Sequence, residues 1–333
     1  MRKPMKFNIK DVARKAGVSI STVSRVVNDS KAVRPKTKEK VLKAIEELGY
    51  KPNAIARSLK IKNTKTIGIM IPDISNQFFP EVVRGVEDVA NMYEYNIFLC
   101  NTDMDKEKEI QYFNVLEEKQ VDGMIFMGNI IPEELEKKFQ ACDIPIVLIG
   151  TDYGDLPSVT INNGQASKDV VNYLIKKGHE RIAIITGKAY DPIVGITRRE
   201  GYVEALEKAG IVYSEELVVE GGYRFKSGYE GAKKLLSLNN PPTAIFVASD
   251  EMAIGAMRAA LEKGITIPDE LAIVGFDNID MAGKVYPSLS TVAQPMYEMG
   301  AIGMRVLTKI LNDETLENRK VVLNYSFVER ESS

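Results

Sequence analysis

The stretch NIKDVARKAGVSISTVSRVVN, residues 8–28, decides how this chain is organised. Asn8 is a good helix N-cap, and Asp11, three residues later, puts an acid where the helix start favours one. Val12, Ala13 and Ala16 give the first helix a small apolar face, and Gly17 closes it with a residue free to turn. Ser19 then caps a second helix whose inner stripe is Val23, Val26 and Val27. Its outer face carries Ser21, Thr22 and Arg25 near the helix start. Two short helices on a tight turn form a helix-turn-helix, in which the first residues of the second helix meet base edges in the major groove.

Working outward, residues 28–34 read as a polar loop. Pro35 opens a third helix at a position that tolerates proline. Val41, Leu42, Ile45 and Leu48 form its inner face, and Gly49 closes it. Pro52 and Asn53 start a short segment over residues 54–60. An isolated helix of that length is marginal in water, so its ordering on DNA makes a natural switch.

Charge points the same way. Residues 1–62 hold 17 Lys and Arg against 5 Asp and Glu, a balance of +12, in a chain whose net charge is −2. The remaining residues therefore carry −14. A compact basic head on an acidic body is the electrostatic footprint of a phosphate-binding module. A solvated basic tail would lack the caps, the turn and the apolar spacing.

The run DVARKAGVSISTVSRVVN (11–28), followed by GYKPNAIARSLK (49–60), resembles the head of the LacI/GalR family of bacterial transcription regulators. The similarity continues through essentially the whole chain. It implies a head joined to a sugar-binding-protein-like core, and a homodimer sharing a pseudo-palindromic, double-stranded operator. It also implies a hinge helix over 54–60, in which Leu59 and its dimer mate wedge between base pairs of the minor groove. Read alone, Leu59 is better explained as packing in a linker; it is the head before it that favours the wedge. The implied DNA contacts are Ser19, Ile20, Ser21, Thr22, Ser24, Arg25 and Asn28 in the head, with Asn53, Ala56, Arg57 and Leu59 in the hinge. Arg25 suits a bidentate bond to guanine, with a phosphate clamp as the alternative. Ile20 and Ser21 suit a thymine methyl contact or a loose fit.

The 333 residues, 44% hydrophobic and 27% charged, supply material for more than one domain. No apolar run reaches the ~20 residues needed to span a bilayer, and the N-terminus lacks an apolar signal region. The expectation is a cytoplasmic, nucleoid-associated protein with no membrane partner. Cys100 and Cys142 each adjoin a strand-like run and read as free thiols. His179, the single histidine, has no metal-spaced neighbours. With no P-loop, nucleophile elbow or metal-ligand cluster, the chain reads as a non-enzyme without metal or cofactor. A periplasmic sugar-binding protein would need an export signal and would lack the basic head.

From Thr66 onward, TIGIMIP, NIFLC, VDGMIFM and PIVLIG alternate with amphipathic stretches such as 79–92 and 106–118. SVTIN, RIAIITG, TAIFVAS and LAIVGF repeat the alternation. The fold class expected is an α/β core of two doubly wound parallel-sheet subdomains, periplasmic-binding-protein-like, behind an all-α helix-turn-helix head. The boundaries are 1–52 for the head, 53–65 for hinge and linker, and 66–333 for the core. Within the core, the first subdomain takes 66–162 plus 294–320, and the second takes 163–293 plus 321–333. That a helix over 295–312 returns to the first subdomain, and a last strand over 321–328 finishes in the second, is implied by the resemblance alone.

Ligands of such sheets sit beyond the strand C-terminal ends, between the halves. The candidates for a small-effector pocket there are Asp73, Phe78, Phe79, Arg198, Ser249, Asp277 and Gln294, with Asp250 beside them. Sugar-responsive relatives imply that Arg198 and Asp277 grip hydroxyls while an aromatic of the first subdomain stacks on the ring, the effector being a sugar or sugar phosphate. Helix capping by Asp250 and Asp277, and core filling by Phe78 or Phe79, stand as the alternatives.

Residues 71–97 and 293–315 are similar to a catabolite-control branch of the family, whose co-repressor is HPr phosphorylated on a serine. This implies that Arg305 and Lys309, one turn apart, receive the phosphoserine. It further implies that Tyr297, Glu298 and Asp73 contact HPr or its paralogue. On pattern alone, Tyr297, Ala301, Arg305 and Lys309 form a solvated face opposite an inward stripe of Met299, Gly303, Val306, Leu307 and Ile310. Arg198 departs from that branch, which keeps a sugar-responsive, ribose-type operon repressor open as the alternative function.

Overall fold

The computed structural model describes residues 7–27, 33–50, 64–128 and 130–333. The chain divides into two units, residues 1–64 and 65–333. In the first, α1 (Ile9–Ala16), α2 (Ile20–Val27) and α3 (Pro35–Leu48) surround Val12, Ala13, Val23, Val26, Val41 and Ala44. The Asn8 side chain accepts from the Lys10 and Asp11 amides at 2.9 and 3.3 Å, and Asp11 accepts from the Asn8 amide at 2.9 Å. This reciprocal capping box satisfies amides that the helix itself leaves unpaired. Gly17, at φ +66°, and Gly49, at φ +59°, end α1 and α3 in the left-handed region that glycine takes without strain. Leu42 does not join the inner face expected for it: it is 49% exposed. Next to Val41 on a helix it points about 100° away, and Ala44 fills the core instead.

The second unit holds two six-stranded sheets. The first contains β1 (Thr66–Ile71), β2 (Asn96–Asn101), β3 (Gly123–Phe126), β4 (Ile146–Ile149), β5 (Ser158–Ile161) and β11 (Lys320–Leu323), in the order β11-β5-β4-β3-β1-β2. All its pairings are parallel. The second contains β6 (Ile182–Thr186), β7 (Val218–Glu220), β8 (Ala244–Val247), β9 (Ala272–Asp277), β10 (Ser290–Ala293) and β12 (Ser326–Val328), in the order β12-β10-β9-β8-β6-β7. Here only β12 runs antiparallel, against β10.

Helices cover both faces, so the central strands are apolar throughout rather than alternating. In the first lobe, α4 (Phe78–Met92) and α11 (Met296–Leu311) pack on one face through Val82, Val86, Met299 and Leu307. On the other, α5 (Lys106–Glu118) and α6 (Glu133–Ala141) bury Phe113, Leu116, Leu135 and Phe139. The second lobe is built likewise from α7 (Asn163–Lys176) and α8 (Arg198–Lys208) on one face, and α9 (Phe225–Leu235) and α10 (Asp250–Glu262) on the other.

The chain passes between lobes three times: between β5 and α7, between β10 and α11, and between β11 and β12. The last passage corrects the expectation of one strand over 321–328. Residues 320–323 pair with β5 in the first sheet, and only residues 326–328 reach the second. Away from these crossovers, Arg224 of the second lobe forms an ion pair with Asp73 at 2.7 Å and donates to the Ser75 hydroxyl at 2.8 Å. The Met281 amide donates to the Gln77 carboxamide at 3.2 Å, adding a second tie between the same lobes.

Candidate functional site

In the head, Ser19 caps α2 by accepting from the Thr22 amide at 3.2 Å, and its hydroxyl also meets those of Ser21 and Thr22 at 2.8 and 2.9 Å. With Val23 and Val26 buried, α2 turns Ile20, Ser21 and Arg25 to solvent, Ile20 being 46% exposed. Thr22 and Ser24 are half-buried on its flanks. An exposed apolar residue beside small hydroxyls and one cation is a surface suited to a DNA groove. Asn28, Asn53, Ala56, Arg57 and Leu59 lie outside the described residues.

In the core, the C-terminal ends of both sheets open on a cavity of about 310 Å³. The second lobe supplies its charge. Arg198 begins α8 after a π-helical turn, Pro192–Thr197. It is 5% exposed and lies 3.6 Å over the Phe276 ring. Its Nε donates to Asn163 at 2.9 Å and its Nη1 to the Ala248 carbonyl at 2.5 Å. Burial pulls the guanidinium pKa down, while the Asp277 and Asp191 carboxylates oppose that pull. Asp277 ends β9 at φ +125°, a strained conformation for a residue with a side chain, and its carboxylate accepts from the Gln294 side-chain carboxamide at 2.8 Å. Burial raises its pKa, and Arg198 works against the rise.

Asp191 and Tyr223 complete this floor and were not among the residues expected from sequence. Asp191 accepts from the Ile193 and Val194 amides at 2.8 Å each and from the Tyr223 hydroxyl at 2.5 Å. An acid directly before a proline, at the end of a strand–turn, was the signal available for it. The first lobe's wall is apolar, with Phe78 and Phe79 edge to face at 5.2 Å between centroids. Asn76, also missed, lines it and accepts from the Phe78 amide at 3.0 Å.

Phe78, Phe79, Arg198, Ser249, Asp277 and Gln294 thus share one cavity. Ser249 is in addition the N-cap of α10. Asp250 serves structure: it accepts from the Thr291 hydroxyl at 2.6 Å and the Ile279 amide at 2.9 Å. Gly275 makes room for it, since a Cβ there would stand 2.2 Å from the Asp250 carboxylate. Asp73 lies outside the cavity lining, 3% exposed and engaged by Arg224.

The second surface is α11. It packs against α4 so closely that a Cβ on Gly85 would stand 2.0 Å from the Tyr297 carbonyl, and one on Gly300 1.9 Å from that of Val82. Tyr297, Glu298, Arg305 and Lys309 remain exposed. Ala301, expected in the same stripe, is buried in that contact. The Tyr297 hydroxyl donates to Asp88 at 2.8 Å, and that carboxylate raises its pKa. Arg305 and Lys309 make no ion pair among the described residues.

A helix-turn-helix head and a two-lobed core with a charged cleft define a class, the effector-controlled DNA-binding regulator. Residues 8–53 match the bacterial regulatory proteins of the lacI family, and residues 171–333 match the periplasmic binding protein-like domain. The chain is 48% identical over 331 residues to the HTH-type transcriptional regulator RegA of Clostridium saccharobutylicum, covering 99% of this chain and 100% of the relative. It is 45% identical over 331 residues, with the same coverage, to catabolite control protein A of Priestia megaterium. Among solved structures, it matches the lac repressor dimer bound to operator and an anti-inducer, with a TM-score of 0.87 and 26% identity over 98% of this chain and 99% of that one. It also matches a transcriptional regulator CelR–cellobiose complex, with a TM-score of 0.75 and 30% identity over 98% and 100%.

The chain belongs to the lacI family of bacterial regulatory proteins. Within it, the full-length similarity groups the chain with transcription regulators of carbon catabolism, not with enzymes. No helix among the described residues is long and apolar enough to cross a membrane.

Proposed function

We propose that this protein is a cytoplasmic homodimer that binds a pseudo-palindromic operator, with its affinity raised by serine-phosphorylated HPr or its paralogue docking on α11. The observation carrying this reading is the pair Arg305 and Lys309. These two exposed cations, one turn apart and unpaired among the described residues, lie on a helix whose opposite face is closely packed against α4. Such a pair suits a phosphoserine, whose oxygens accept several charge-assisted bonds. Tyr297 and Glu298 extend the same surface. Asp73 would join it only on release from Arg224, so docking is coupled to the tie between lobes. On the DNA, α2 reads the major groove through Ile20, Ser21, Thr22 and Arg25, and Leu59 of each protomer wedges into the minor groove.

Fluorescence anisotropy of a labelled operator at fixed salt tests this reading. Phosphorylated HPr should tighten binding where unmodified HPr does not, and Arg305→Ala with Lys309→Ala should remove that response. Equal effects of the two HPr forms would overturn it. A second reading, favoured by the buried Arg198 and Asp277 facing one cavity, is that a sugar in the cleft also sets DNA affinity. The two signals are compatible in one core, since each needs only to prefer one lobe arrangement.

A further inference from the structure

We infer that Glu109 is a further specificity-determining residue of the cleft, the first lobe's hydrogen-bonding handle for a hydroxyl of a polyhydroxylated ring. The inference rests on the reading of the cleft as a sugar site. Asp105 caps α5 by accepting from the Glu107 and Lys108 amides at 2.8 and 3.2 Å, which fixes where the helix begins. Glu109 then falls on the buried face together with Phe113 and Leu116, four and seven residues on. A carboxyl in an apolar stripe is poorly solvated and gains from a partner, because a polar group withdrawn from water without one carries a desolvation cost. The Glu109 carboxyl has none: the residue is 7% exposed and its backbone amide donates to the Asp105 carbonyl at 3.0 Å, but its side chain makes no hydrogen bond or ion pair with any described residue.

It does line the cavity, alongside Phe78, Met104 and Met127, so a ligand can supply the missing bond. Burial, reinforced by Asp105 and opposed by Lys106, pushes its carboxyl up to about 7, so the group can both donate to a hydroxyl and accept from one. Elsewhere in the same cavity Arg198, Asp191 and Asp277 offer the opposite polar edge, and Phe78 and Phe79 offer ring faces. A ligand bonded to Glu109 as well as to Arg198 holds both lobes at once.

Calorimetric titration of the full chain with cellobiose and with D-ribose tests this, using the parent and Glu109→Leu, Glu109→Gln and Arg198→Met variants. Melting curves serve to confirm that each variant is folded. At least one sugar should bind the parent. Glu109→Leu should weaken it tenfold or more, Glu109→Gln should stay within about threefold, because its amide still donates and accepts, and Arg198→Met should abolish binding. Rescue by glutamine separates a ligand contact from a packing role. If Glu109→Leu binds like the parent while Arg198→Met does not, the inference fails and the cleft reading stands. If neither sugar binds the parent, both fall.

Discussion

At the scale of single residues, the charged groups of the core fall into those that hold the fold and those left for a ligand. Asp250 is fully engaged, whereas the Glu109 carboxyl is buried and unengaged, and its ionisation must tax the folded state. Its carboxyl, ordinarily near 4.5, is raised to about 7 in the fold. The folded protein therefore binds that proton more tightly than the unfolded chain, and the stability this lends below pH 4.5 is lost as pH rises through 7. Glu109→Gln should melt with the parent at pH 4.5 and above it at pH 8, by up to about 2–3 kcal/mol in a pH series of denaturant titrations. In the head, Arg25→Ala should cost about 1–3 kcal/mol of operator affinity and relax preference at one base pair, as read by anisotropy on single-substitution operators. A uniform loss on every operator would make Arg25 a phosphate clamp instead.

At the scale of elements, the glycines of α4 and α11 carry the most information. Gly85 and Gly300 let two helices meet backbone to backbone, so Gly300→Ala must push against the Val82 carbonyl. It should destabilise the core by about 1–3 kcal/mol in a denaturant melt and also blunt any HPr response, since the docking face moves with α11. Much of this level was legible in the sequence. Asn8, Gly17 and Ser19 state where the first helices begin and end, and the apolar runs from Thr66 onward state two covered parallel sheets. What escaped was whatever depends on contacts distant in sequence. Asp73 looks like a free strand-end acid until Arg224 arrives from the other lobe, and Glu109 looks like a solvent-facing helix residue until the cavity is seen. The break between β11 and β12 escaped too, because residues 324 and 325 are Asn and Tyr, with no glycine or proline to mark it.

At the scale of the whole molecule, the core is two lobes joined by three crossovers and fastened by side chains between Asp73, Ser75 and Arg224. Arg224 is half-exposed, so the ion pair contributes on the order of 1 kcal/mol or less to stability. Its weight lies in the balance between lobe arrangements, where small differences shift populations. Arg224→Ala should lower the melting temperature little while widening the distance distribution between spin labels on the two lobes; an unchanged distribution would show that the crossovers alone set the arrangement. The interleaved connectivity also bears on how the protein comes into being. During synthesis β5 waits for residues 320–323 and β10 for residues 326–328, so each sheet is finished only when its own late strand has left the ribosome. Translation that stops short of them yields two open-edged sheets at once, a nascent chain exposed to mispairing in both halves.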